Sequence, residues 1–86
     1  MAPSGYSQAF FNDVLYNFFM KEFAERLKDL RLERELSQRG LAKLLNISHM
    51  AIQRWEKETR IPNIEELVLL AKFFDVTTDY LLGLSD

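Results

Sequence analysis

Apolar residues recur along this chain at helical spacing, and no long β-branched run alternates at the period of a strand. From Ser7 to about Arg34 nothing forbids a helix. Phe11, Val14, Leu15 and Phe18 form one stripe, and Phe23, Leu27 and Leu30 form another. On a common helical wheel the stripe centres lie roughly 135° apart. Either the helix breaks near residues 19–22, or one long helix serves two surfaces. The expectation is a break, with an N-terminal helix at about residues 7–20 and helix 1 at about 22–34. Residues 1–6, with Pro3 and Gly5, read as a loose lead-in.

Further along, polar residues punctuate the pattern at the places where helix ends need them. Ser37 can cap a second helix running to about Leu45, and Ser48 a third running to about Lys57. The loop "ETRIPN" follows, and Asn63 with Glu66 has capping-box spacing. Ile64, Leu67, Val68 and Ala71 then repeat at i, i+3, i+4 and i+7, so the apolar side chains of residues 64–74 are expected in the core. Thr77 opens a short last helix, stopped by Gly83. The pattern therefore predicts an all-α fold.

The third helix is short and two-faced. With His49 at 0°, Gln53, Lys57, Met50 and Arg54 fall at roughly 40°, 80°, 100° and 140°. Ala51, Trp55 and Ile52 fall at roughly 200°, 240° and 300°, on an apolar side that anchors the helix. The break before it is abrupt, and Asn46 stands there as a residue that tolerates a left-handed backbone. Ile47 plugs the inner side. The polar face carries donors, an acceptor and a thioether, with no acid between, which suits the base edges of a major groove. Arg54 can donate two bonds to guanine O6 and N7, Gln53 can reach a base edge or a phosphate, His49 a base or phosphate, and Met50 a thymine methyl. Gln38, Arg39, Lys43, Lys57 and Arg60 are candidates for phosphate contacts.

Composition narrows this picture. Eighty-six residues make one domain, and 48% hydrophobic content makes it globular. The net charge of −2 argues against nucleic acid as a bulk effect, but its distribution does not. Residues 21–60 carry ten Lys/Arg against seven Asp/Glu, whereas residues 61–86 carry Lys72 against five acids. The basic excess sits with the broken helix. The absence of cysteine removes disulfides and thiolate metal sites and fits a cytoplasmic protein. No apolar run approaches the roughly 18 residues of a membrane span. No cofactor or metal site is expected, since His49 is the single histidine and no HExxH or P-loop motif occurs.

The stretch "SQRGLAKLLNISHMAIQRWEKETRIP" resembles the helix-turn-helix of the lambda-repressor, Cro and XRE type. The matching positions are Ser37-Gln38, Leu41-Ala42, Asn46, Ile47, Ser48, Ile52, Arg54, Trp55 and Glu56, and the likeness continues through Pro62, "LLAKFFDV" and "DYLLG". The resemblance implies a five-helix DNA-binding domain over residues 22–84, with the helix-turn-helix proper at 38–57. An extra N-terminal helix would occupy the 1–21 extension, and 85–86 would be a tail. It implies that Gln38 grips the DNA backbone and that positions 49, 50 and 54 face bases. It also implies an ion pair, Arg31–Glu56, tying helix 1 to helix 3. The implied function is sequence-specific transcriptional regulation by a repressor, a homodimer on a two-fold DNA operator. Three positions depart from the pattern. Asn46 stands for a turn glycine, Gly40 for a frequent glutamate, and Glu58 for the glycine that often ends helix 3. Gly40 should weaken its helix by up to ~1 kcal/mol relative to Ala.

The "AFFNDVLYNFFM" segment lies outside that resemblance. It reads as extra core, as a self-association stripe of Phe11, Val14, Leu15 and Phe18, or as a membrane-surface helix. Self-association is the preferred reading, and the membrane reading is weakened by a polar side without Lys or Arg until Lys21. Met20 is a candidate natural start. A protein-interaction module that kept the fold, antitoxin-like or accessory, is the alternative function.

Overall fold

The computed structural model describes residues 8–86, so Ser7 and the lead-in expected over 1–6 lie outside the described residues. Five helices follow in order: α1 Gln8–Glu33, α2 Gln38–Leu45, α3 His49–Glu56, α4 Ile64–Phe74 and α5 Thr78–Leu81. No strand occurs among the described residues.

The expected break near residues 19–22 does not occur, and α1 runs unbroken for 26 residues. The extra helix is therefore the first half of α1. The physical reason is that a change in the azimuth of an apolar stripe does not require a change in backbone. Phe19, Met20, Lys21 and Glu22 carry no helix-breaking feature, and the two stripes serve two different surfaces. Burial begins at Met20 and continues through Phe23, Ala24, Leu27, Leu30 and Arg31. No residue from 8 to 19 is buried, so this half adds nothing to the core. At 1.5 Å per residue α1 is ~39 Å long, which accounts for the longest dimension of 46 Å against 25 and 20 Å across.

The core lies where α1 meets α3 and α5. Trp55, Phe23, Leu27, Leu41, Ile52, Leu70 and Leu81 are its fully buried members. Phe23 meets Trp55 edge to face at 5.9 Å between ring centroids, the geometry that aromatic quadrupoles favour. In α4 the buried residues are Leu70, Ala71 and Phe74, with Leu67 packed beside them. Ile64 is 81% exposed and Val68 and Leu69 are also exposed, so the expectation that all apolar residues of 64–74 are core is corrected. The buried arc centres on Leu67, Leu70, Ala71 and Phe74, and Ile64 and Val68 lie at its edge, roughly 70–110° from its centre.

The expected caps are present. Ser37 Oγ accepts from the Gly40 N–H, Ser48 Oγ from the Met50 N–H and Thr77 Oγ1 from the Tyr80 N–H. Asn63 and Glu66 form a complete capping box. The opposite ends share one device. At each of the five helices the two residues after the last turn bond back six-to-one and five-to-two, the Schellman pattern. The left-handed residue is Glu35, Asn46, Glu58, Asp75 or Gly83 in turn.

Candidate nucleic-acid interface

The geometry of the interface is set at Asn46. Its φ of 56° and ψ of 46° are left-handed, and Ile47 N–H then donates to the Ala42 carbonyl at 3.0 Å. That reversal closes α2, turns Ile47 onto the core and leaves Ser48 in extended backbone to cap α3. Two polar residues thus set the angle at which α3 leaves the turn.

Ala51, Ile52 and Trp55 are buried and fix α3 from behind. The other flank faces outward, as the wheel predicts. Met50, Arg54 and Lys57 are exposed, and His49 and Gln53 are half-buried. On α2, Arg39 and Lys43 are exposed. The side chains of Arg39, Lys43, His49, Gln53, Arg54 and Lys57 form no hydrogen bond or ion pair with the described residues. Arg54 is held only through its backbone, whose carbonyl accepts from Thr59 Oγ1 at 3.1 Å.

Two of the residues expected to meet phosphate are already engaged. Gln38 Nε2 donates to Glu56 Oε1 at 3.2 Å. Arg60 Nη2 lies 3.3 Å from Glu66 Oε1, the same oxygen that accepts the Asn63 N–H in the α4 cap. Each keeps further N–H donors, since a primary amide has two and a guanidinium five. These links were not expected, because contacts across a loop leave no periodic signature.

The expected Arg31–Glu56 pair is present and closely made. Arg31 Nε and Nη2 donate to the two Glu56 carboxylate oxygens, both at 2.8 Å, and Arg31 Nη1 donates to the Leu36 carbonyl at 2.8 Å. Both side chains are buried, at 9% and 5% exposure. The hydrogen bonds that Arg31 donates to Glu56 raise its pKa above the ordinary arginine value, against the desolvation that lowers it. The fork geometry matches carboxylate to guanidinium at two points and so fixes orientation as well as distance. It ties α1 to α3, and through Gln38 it ties α2 to both.

Among the described residues no cluster of His, Asp or Glu could hold a metal ion, and no helix is long and apolar enough to cross a membrane. Phe11 is half-buried, whereas Val14, Leu15 and Phe18 are exposed.

Comparison with known proteins agrees with this architecture. A family model described as helix-turn-helix matches residues 27–81. The chain is 46% identical over 62 residues to the HTH-type transcriptional activator BcrR of Enterococcus faecalis, covering 72% of this chain and 30% of that protein. It is 36% identical over 64 residues to the uncharacterized HTH-type transcriptional regulator YobD of Bacillus subtilis, covering 74% of this chain and 57% of that one. It is 36% identical over 58 residues to the repressor protein C2 of Salmonella phage P22, covering 67% of this chain and 27% of that one. The chain thus spans between about a quarter and somewhat over half of the length of these relatives. The matched region begins within the second half of α1 and takes in α2, α3, α4 and α5. With the left-handed turn, the anchored α3 and the buried ion pair all lying inside that region, the chain belongs to the helix-turn-helix family of the lambda-repressor, Cro and XRE type.

Proposed function

We propose that this chain is a sequence-specific DNA-binding transcriptional regulator that places α3 in the major groove. The observation that carries the reading is the outward flank of α3, whose polar side chains have no partner among the described residues while its other side is anchored in the core. His49, Met50, Gln53 and Arg54 read base edges, and Arg54 is the principal reader through a bidentate contact to guanine. Gln38, Arg39, Lys43, Lys57 and Arg60 contact phosphates and set register. Gln38 and Arg60 do so while keeping their carboxylate partners.

The regulator acts as a homodimer on a two-fold operator, in the cytoplasm, and as a repressor that blocks polymerase by occupancy, with no chemical step. The names of its relatives include both an activator and a repressor, so one fold serves either sign of control. In-vitro selection of bound DNA should return a half-site and its spacing, with half-sites ~34 Å apart. Arg54→Ala should relax base preference at one position by ~1–3 kcal/mol. Unchanged affinity and unchanged preference in that variant would remove the base-reading role.

The alternative is a protein-interaction module, favoured by the exposed Val14, Leu15 and Phe18. Salt separates the two readings. DNA binding weakens steeply as salt rises, and apolar docking does not.

A further inference from the structure

Residues 8–19 of α1 stand clear of the core, yet one of their faces is apolar. Val14, Leu15 and Phe18 are 51%, 39% and 44% exposed. With Phe11 they share a face at i, i+3, i+4 and i+7. Along the same azimuth the stripe changes character. Glu22, Glu25 and Asp29 lie within roughly 40° of Phe11 on the wheel; Glu22 pairs with Arg26 at 3.7 Å, whereas Glu25 and Asp29 form no ion pair with the described residues. The C-terminal end of the chain crosses α1 at this level. Arg26 Nη1 donates to the Ser85 carbonyl at 2.6 Å, and a Cβ on Gly83 would sit 2.7 Å from Glu22 Cγ. The apolar stripe ends where acids and tail begin.

We propose that two copies of this chain pair antiparallel through their Phe11–Phe18 stripes, and that this pairing holds the two α3 helices about one duplex turn apart. The spacing rests on the DNA-binding reading above, and the pairing itself does not. A second copy fits because a two-fold interface needs a self-complementary patch. Residues 8–20 form such a patch, with Asp13 as their single charge.

Charge selects the orientation. In a parallel pair, the unpaired Glu25 and Asp29 would face their own copies, and the two tails would meet. In an antiparallel pair centred between Val14 and Leu15, Phe11 faces Phe18 and the acids diverge to opposite ends. Area sets the strength. A whole aromatic side chain offers about 150–250 Å², so the stripe supplies on the order of 250 Å² per copy. A standard interface takes ~800 Å² per partner. The pair is therefore weak in free solution and is completed when DNA holds two copies side by side.

The geometry matches the duplex. α3 packs on α1 between Phe23, beside Trp55, and Arg31, beside Glu56, which is level with residue 27. Two such points related by the two-fold are ~37 Å apart along the helix axis. Adjacent half-sites one turn apart are separated by ~34–36 Å.

The chain has no cysteine, so a nitroxide on Glu33→Cys, at the exposed end of α1, is a unique reporter. Pulsed dipolar spectroscopy of concentrated protein should return ~55 Å between labels. A parallel pair, with axes ~8–10 Å apart, would bring them within roughly 25 Å. Leu15→Glu should abolish the coupling and raise the dimer dissociation constant more than ten-fold in sedimentation equilibrium, with far-UV circular dichroism unchanged. A short distance overturns the orientation. A monomeric mass without dipolar coupling in the parent chain, or coupling that survives Leu15→Glu, overturns the pairing and gives the stripe to another occupant. Binding to a single half-site is the separate control. If neither chain binds one, the DNA reading fails while the distance stands.

Discussion

Glu56 accepts from three nitrogens at once, two from Arg31 and one from Gln38. Such a carboxylate is stable in a buried place only while its donors remain. Arg31→Met would leave it buried and uncompensated, so urea denaturation should report a loss of ~3–5 kcal/mol. The double variant Arg31→Met, Glu56→Leu should recover much of that loss, because two apolar side chains leave no orphaned charge. The raised pKa of Arg31 has a simple consequence. Its contribution is fully present below the ordinary arginine range and fades only above it, so the pair keeps its cation throughout the neutral range. In Arg31→Met the carboxylate that anchors Gln38 is displaced, and in the double variant Gln38 loses that anchor. Altered DNA affinity should accompany the altered stability.

The helix ends show how far local chemistry can be read in advance. Ser37, Ser48, Asn63 and Thr77 were legible as caps because the side chain that satisfies each helix start is written next to it. Asn46 was legible as the turn because Asn tolerates a left-handed backbone. Glu35 and Asp75 were not, although they adopt the same conformation. Nothing in a glutamate or aspartate announces it, and the strain is carried by the packed residues that follow, Leu36 and Val76. Arg34, which stacks on the rings of Phe73 and Phe74 at 5.1 and 5.2 Å, was illegible for a related reason. The partners are distant in sequence, and the contact has no period. The continuity of α1 was not legible, because two stripes of different azimuth fit one long helix as well as two short ones. Glu58, at φ 62°, is a direct test. Glu58→Gly removes left-handed strain of ~1–2 kcal/mol, partly offset by the greater freedom of an unfolded glycine. It also removes an acid beside the proposed phosphate path. Thermal melting should show a net gain on the order of 0.5–1 kcal/mol, and a mobility shift should show tighter binding to every sequence.

The whole molecule is elongated, 46 Å by 25 Å by 20 Å, with its helix-turn-helix at one end of α1 and its apolar stripe at the other. Binding at this scale is electrostatic in its salt response. Each phosphate contact contributes about 0.9 to the slope of log K against log salt. Lys43→Ala in both copies should therefore flatten that slope by ~2 for a dimer and weaken all sequences alike. The continuity of α1 has a consequence for how such a molecule could be retuned. A straight helix behaves like the shaft of a gauge, in which length and rotation advance together. One residue inserted after Phe19 would rotate the stripe by roughly 100° and take it out of phase with its counterpart. Eleven inserted residues would return it to within roughly 20° while lengthening each shaft by ~16.5 Å. In selection experiments the one-residue insertion should give isolated half-sites. The eleven-residue insertion should restore paired ones, set ~33 Å farther apart, about one further duplex turn.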